Sequence, residues 1–436
     1  MPKDRVTVVG AGLAGCEAAW QLAKRGIPVT LIEMKPKKFS PAHHSSDFAE
    51  LVCSNSFRGE RLQNAVGLLK EELRRLDSLV MRCADATRVP AGGALAVDRE
   101  GFSRAVTQSV RNHPSIEVVE GEAEAIPESP AIIATGPLTS EPMAKSISGL
   151  FGDGLYFFDA AAPIVTVESL DMDKIFRQSR YDKGGEDYIN CPMNEAEYFA
   201  FLSELKNAET AELKDFEDDR IFEGCMPVEV MAKRGDMTLA YGPLKPKGLT
   251  DPRTGKRPFA VVQLRQDDEK GTLFNIVGFQ THLKFPEQKR VFSMIPGLEH
   301  AEFARYGVMH RNTFIHSPGN LDANYSVKGK PGLYFAGQIT GVEGYVESTA
   351  SGLVAGISLA KWLGGESQPD FTGKTAVGAL GRYISTYSGA DFQPMNITFG
   401  IIEPLPERIR QKTERYTAIA ERALNVLDDV IREYSH

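Results

Sequence analysis

The chain has 436 residues, 42% hydrophobic and 25% charged, long enough for two or three domains around sizeable cores. Fifty Lys and Arg against 58 Asp and Glu leave a formal charge of -8, which excludes a chain basic throughout and leaves a local basic face as the route to nucleic acid. The five cysteines (Cys16, Cys53, Cys83, Cys191, Cys225) include no C-x-x-C pair, which argues against a disulfide scaffold or metal ribbon and for a reducing, cytoplasmic setting. No run of about 20 uncharged apolar residues predicts a membrane span, and Glu17 interrupts the N-terminal apolar stretch where a secretory leader would need continuity.

Residues 5–9 read as a strand that runs into Gly10-Ala11-Gly12-Leu13-Ala14-Gly15. Residues 17–25 then read as a helix, and a second apolar run over 28–32 ends in Glu33. This is G-x-G-x-x-G inside a βαβ unit with an acid about 20 residues on, the fingerprint of a dinucleotide site. Gly10 allows the tight turn, Gly12 lets the backbone approach a pyrophosphate, and Gly15 lets helix and strand pack closely. The helix N-terminus offers free N–H groups to phosphate, and Glu33 is placed to hydrogen-bond a ribose diol.

Residues 35–60 are loop-like. A helix over 64–76 follows from the spacing of Val66, Leu69, Leu73 and Leu76. After a break at 90–93, residues 98–111 read as a helix with Asp98 as N-cap, and 116–119 and 131–134 as strands. Between 160 and 304 short strands such as 260–264 and 273–279 alternate with charged, Pro/Gly-rich turns, the pattern of an inserted α+β domain. A buried strand returns at 332–337, a small-residue helix follows over 347–363, and residues 367–436 read as largely helical with Arg408, Arg410, Lys412 and Arg415 spaced along them.

Two downstream pieces choose the dinucleotide. Ala134-Thr135-Gly136 has the form of a strand end where a flavoprotein chain returns to its FAD domain. Tyr334-Phe335-Ala336-Gly337-Gln338, followed by a helix that carries Gly352, resembles the closing segment along a flavin's ribityl chain, with the helix's positive end toward the isoalloxazine. Gln338 stands where flavoproteins often carry an acid. The fold class expected is α/β, a Rossmann-like FAD-binding domain of the glutathione-reductase type with an inserted α+β domain. The FAD-binding domain would take residues 1–90, 112–160 and 305–436, and the insertion 91–111 and 161–304.

Cys53 lies in a polar loop beside Ser54 and Asn55, and Cys225 in a Gly/Pro-flanked turn with Glu223 nearby. Both contexts favour reactivity over packing. Cys16 reads as a packing residue.

The chain resembles the folate- and FAD-dependent tRNA (uracil-5-)-methyltransferases, the TrmFO family. The resemblance covers nearly the whole chain and rests on residues 8–15, 41–44, 48–56, 90–99, 222–234, 262–267, 306–313 and 341–348. It implies that 5,10-methylenetetrahydrofolate supplies one carbon, reduced FAD supplies electrons, NADH or NADPH re-reduces the flavin, and the T-loop uridine of tRNA becomes 5-methyluridine. C5 of uracil is a poor nucleophile, and a thiolate adding at C6 makes it enolate-like. A second group must then remove the C5 proton. The resemblance places the two thiols at Cys225, as the C6 nucleophile, and Cys53, as general acid/base. Tyr345 then stacks on flavin or folate, or is a plain core aromatic. His310 and Arg311 hold folate carboxylates or pyrimidine oxygens, or are structural.

A loop base must leave its stack, and phosphates must meet cations. Lys233 and Arg234, Lys245 and Lys247, Lys256 and Arg257, Lys284, Lys289 and Arg290, and Arg408, Arg410 and Lys412 are the cationic candidates. No protein partner and no membrane is expected. The alternative readings are a GidA-type flavoprotein acting on the tRNA wobble uridine, for which the chain is short, a non-catalytic flavin-containing tRNA chaperone, and a plain flavin oxidase.

Overall fold

Short β-branched strands separated by small-residue helices can bury both faces of a sheet only by crossing over it, which produces parallel pairing. The computed structural model describes residues 5–152, 155–182, 185–211, 226–389 and 392–434, without the side chains of 155–159, 182, 310 and 311. Strands β1 (Val6–Val9), β2 (Val29–Glu33), β6 (Ile116–Glu120), β7 (Ala131–Ile133) and β16 (Leu333–Phe335) form a parallel sheet in the order β16-β7-β1-β2-β6. Taken in chain order this is the 3-2-1-4-5 arrangement of doubly wound nucleotide-binding folds, and the ligand crevice of such a sheet lies at the carboxyl ends of β1 and β7, where the order reverses.

Helix α1 (Leu13–Lys24) crosses α10 (Tyr345–Leu363) at very short range. A Cβ on Gly352 would stand 2.2 Å from the Ala14 carbonyl oxygen, and one on Gly356 2.8 Å from that of Ala18. Around this pair pack α2 (Ala65–Arg75), α3 (Leu79–Ala86), α4 (Arg99–Arg111), α5 (Glu141–Phe151), α11 (Ala376–Thr386) and α12 (Lys412–Tyr434), all contributing to one core. A small sheet of β3 (Ser56–Gly59), β5 (Ala94–Val97) and β4 (Arg88–Val89) flanks it. Two buried carboxylates act as remote caps. Glu17 accepts from the backbone N–H groups of Leu79 and Val80 at the start of α3, and Glu72 from those of Ala376 and Val377 at the start of α11. Burial pushes Glu72 up to about 7.

β8 (Leu155–Ala160) and β15 (Met309–Phe314) pair antiparallel and carry the chain into and out of a second core. There β9 (Ile164–Thr166), β10 (Phe176–Arg177), β11 (Tyr188–Met193), β12 (Ala260–Gln266), β13 (Leu273–Ile276) and β14 (Phe303–Arg305) form an antiparallel sheet ordered β10-β11-β12-β13-β9-β14. It is covered by α6 (Glu195–Asn207), α7 (Val228–Lys233), α8 (Thr238–Tyr241) and α9 (Phe285–Phe292).

Five expectations change. Residues 91–111 do not join the second core, because Leu95, Val97, Phe102, Val106 and Val110 are buried in the first. The first helix starts at Leu13 rather than 17, since Gly12 already has the extended backbone of an N-cap. The loop-like segment 35–60 ends in β3, and the helices α3 and α5 were not anticipated. The described residues between α11 and α12 carry no helix. Among the described residues no helix is long and apolar enough to cross a membrane.

Candidate active site

A cleft opens at the carboxyl ends of the parallel strands. Its walls include Glu33 at the end of β2 and Gly337 after β16, three strand spacings apart, or roughly 14 Å. Gly10, Ala11, Gly12, Leu13 and Ala14 form the floor, with Ala134, Thr135 and Gly136 beside them. A Cβ at Gly12 would meet nothing within 4 Å, and no side chain caps α1, so open space adjoins uncapped helix N–H groups. This cradle fits a pyrophosphate, and the residues present suit a dinucleotide. Glu33 is buried on the cleft wall, accepting from the backbone N–H groups of Ala11 at 2.7 Å and Lys35 at 3.0 Å.

Two expected cofactor residues sit behind the wall rather than on it. A Cβ on Gly15 would stand 1.8 Å from the Gly10 carbonyl oxygen, which is the helix–strand packing its place in the fingerprint requires. Gly352 faces Ala14 across the α1–α10 crossing, so its part is close helix packing and not cofactor contact. At the far end Gln338 donates to Glu343, and Tyr345 and Ser348 begin α10, whose N-terminus is capped by Gly344 without a side chain.

Cys53 lines the same cleft, half-buried. The Tyr345 hydroxyl oxygen accepts from the N–H of Cys53 at 2.9 Å and of Ser54 at 3.2 Å. Burial, and then the nearby Cys53 sulfur, push the Tyr345 hydroxyl well above its usual range, so it stays protonated. Tyr345 also lies 5.8 Å, centroid to centroid, from Phe57. It thus faces the cleft and holds the thiol loop at once, a double role that neither sequence reading of it contained. The other described thiols differ from Cys53. Cys16, Cys83 and Cys191 are buried, and burial raises the pKa of each.

Three arginines to which the sequence reading assigned no role grip the loop from behind. Arg99 donates to the carbonyls of Leu51 and Val52 and makes a two-point ion pair with Asp267 at 3.1 and 2.9 Å. Arg305 reaches the Val52 carbonyl at 3.4 Å, and Arg265 reaches Ser54 Oγ at 2.6 Å and Asn55 Oδ1 at 3.2 Å. Burial works against the charge on Arg99, but Asp267 outweighs it and raises the pKa. Burial lowers that of Arg265 and of Arg305. A charged residue alternating with Val262 and Leu264 on a buried strand was the available signal for Arg265.

Cys225 lies outside the described residues. His310 and Arg311 are on β15, in register with Asp159 and Phe158 of β8, and their side chains also lie outside the description. Lys233, Arg234, Arg408 and Arg410 are exposed. Lys284 and Arg290 are engaged in ion pairs with Glu209 and with Glu204 and Glu287. Among the described residues no group of three His, Cys, Asp or Glu is arranged to hold a metal.

The family model described as Glucose inhibited division protein A matches residues 5–367. The methylenetetrahydrofolate–tRNA-(uracil-5-)-methyltransferase TrmFO of Acetivibrio thermocellus is 62% identical over 434 residues, 99% of this chain and 100% of its own. The chain belongs to the TrmFO family. The TrmFO of Anoxybacillus flavithermus is 60% identical over 98% of this chain and 99% of its own. Among solved structures, Aquifex aeolicus GidA superposes with a TM-score of 0.70 at 14% identity, covering 98% of this chain and 74% of that one. The fold of this TrmFO-family chain is therefore the α/β fold of GidA.

Proposed function

We propose that the chain is an FAD-dependent tRNA methyltransferase that uses 5,10-methylenetetrahydrofolate to methylate uracil at C5. In the finer reading, the target is the T-loop uridine and NADH or NADPH is the reductant. The observation that carries this is Cys53, a half-buried thiol on a dinucleotide-sized cleft, in a chain 62% identical end to end to a protein named for that reaction.

Gly10, Ala11, Gly12, Leu13 and Ala14 would hold the pyrophosphate of FAD, Glu33 the ribose, and Ala134, Thr135, Gly136, Gly337 and Gln338 the middle of the cofactor. Bound FAD, once reduced, supplies the electrons that turn a transferred methylene into a methyl. The N-terminus of α10 favours negative charge at the flavin end of the cleft. Cys225 adds to C6 of the uracil, so that C5 attacks the folate methylene. Cys53 takes the C5 proton as the carbon–nitrogen bond to the folate breaks and tetrahydrofolate leaves, and the Cys225 sulfur is eliminated as that carbon is reduced to methyl. Tyr345 fixes the backbone of Cys53 while its ring faces the bound ligands. His310 and Arg311 would meet folate carboxylates or pyrimidine oxygens. Exposed Lys233, Arg234, Arg408 and Arg410 would meet phosphates of the T-arm.

The test is methyl incorporation into unmodified tRNA transcript by the FAD-loaded protein with NADPH, comparing methylenetetrahydrofolate with S-adenosylmethionine. Folate-dependent 5-methyluridine at the T-loop position is the expected product. Product at the wobble position, or none from a yellow protein, overturns the proposal.

A further inference from the structure

Cys53 sits where three guanidiniums from three elements converge on the five residues 51–55. Arg99 of α4 and Arg305 of β14 take the carbonyls just before the thiol, and Arg265 of β12 takes the side chains of Ser54 and Asn55 just after it. Asn55, fully buried, donates to the carbonyls of Val97 in the first core and Gln266 in the second. The loop that carries the thiol is therefore clamped between the two cores. Arg265 is the unusual member. It is 8% exposed, and among the described residues no carboxylate stands within ion-pair distance of it, whereas Arg99 has Asp267. Burying an arginine without a directly paired carboxylate is costly, and an apolar side chain at that point of β12 would serve packing better. Both of its hydrogen bonds go to the loop of Cys53.

We infer that Arg265 is a positioning residue for Cys53: carried on the second core, it sets the loop so that the thiol projects into the cleft. This rests on the catalytic reading of Cys53. The two hydrogen bonds leave from Nε and Nη2, which demand a planar fork, so a lysine ammonium cannot replace both. The contact is local and neutral on the loop side, so its loss displaces the thiol without removing any group that touches a ligand.

The test uses the full-length FAD-loaded protein. Arg265→Gln is expected to lower kcat at least about tenfold, with KM for tRNA and folate within about twofold and FAD content unchanged. Arg265→Lys should recover little. Ser54→Ala, which removes one acceptor and is a mild change, should lower kcat in the same way by about threefold, and the double variant Arg265→Gln/Ser54→Ala should be no slower than Arg265→Gln alone. The rate of iodoacetamide labelling of Cys53, read by peptide mass spectrometry in parallel, should change in Arg265→Gln and Ser54→Ala. Unchanged kcat and labelling, or effects that multiply in the double variant, overturn the inference. A Cys53→Ala control separates the two claims. If it keeps full turnover, the catalytic reading of Cys53 fails, and positioning is then judged by the labelling rates alone.

Discussion

The two cores of this molecule are built by opposite means. The first closes through absence of side chains: glycine faces backbone at the α1–α10 crossing and in the fingerprint turn, and open space is left where a cofactor's phosphates would lie. The second packs through large apolar side chains and is joined to the first by polar side chains that reach far along the chain, such as Arg265 to Ser54 and Arg99 to Asp267. A site made by missing atoms tolerates no addition, while a site made by long contacts fails by loss. The thiol loop lies between the two and depends on both.

The sharpest way to break the first half of that contrast is Gly352→Val. Its Cβ would meet the Ala14 carbonyl oxygen at 2.2 Å, a backbone atom that cannot turn aside. We predict a loss of about 3 kcal/mol or more, with weaker FAD retention, read by thermal melting and by the flavin-to-protein ratio.

A second prediction concerns the carboxylate that ties α2 to α11. Burial raises Glu72 to about 7, so the folded protein holds that proton more tightly than the unfolded chain does. Its stabilising contribution is complete below about pH 4.3 and is lost as pH rises through about 7, a swing of up to about 3 kcal/mol. Burial depresses Lys70 to about 7, and its contribution grows only above that pH, so the two windows do not overlap. Thermal melts of wild type should fall from pH 5 to pH 7 (approximate limits) relative to Glu72→Gln, which lacks the titration. Parallel curves would remove Glu72 from the account.

Asp98 serves both cores, capping α4 through the Gly101 N–H and accepting from the Glu269 N–H at 2.7 Å. Asp98→Ala should cost about 1 kcal/mol in chemical denaturation, the ordinary value of an N-cap. The smallest effect is expected at the exposed Arg408 and Arg410. Replacing each with Gln should reduce the slope of log affinity for tRNA against log salt by about 0.7 to 0.9. An unchanged slope would take these two arginines out of the RNA face.

The same contrast explains what the sequence reveals. The fingerprint 10–15, the strand end at 134–136 and the segment at 337–338 were legible because glycine spacing is a local signal with a backbone cause, and all but Gly15 of these line the cleft. Gly352 was misread for the same reason, since a glycine looks alike whether it makes room for a cofactor or for another helix. Asp98 was legible as a cap, and Cys53 as a thiol outside the packed core from its polar neighbours. The clamp was not legible: Arg99, Arg265 and Arg305 find their partners across the fold, and nothing near them in sequence names Val52 or Ser54. The placement of 91–111 failed similarly, because a helix with one apolar face does not say which core it covers.

The most direct measurement follows label from methylenetetrahydrofolate into tRNA and flavin reduction by NADPH in one Cys53→Ala preparation. The expected result is a flavin that is bound and reduced as in wild type and a tRNA that gains no label. Labelled 5-methyluridine formed at the wild-type rate would contradict it.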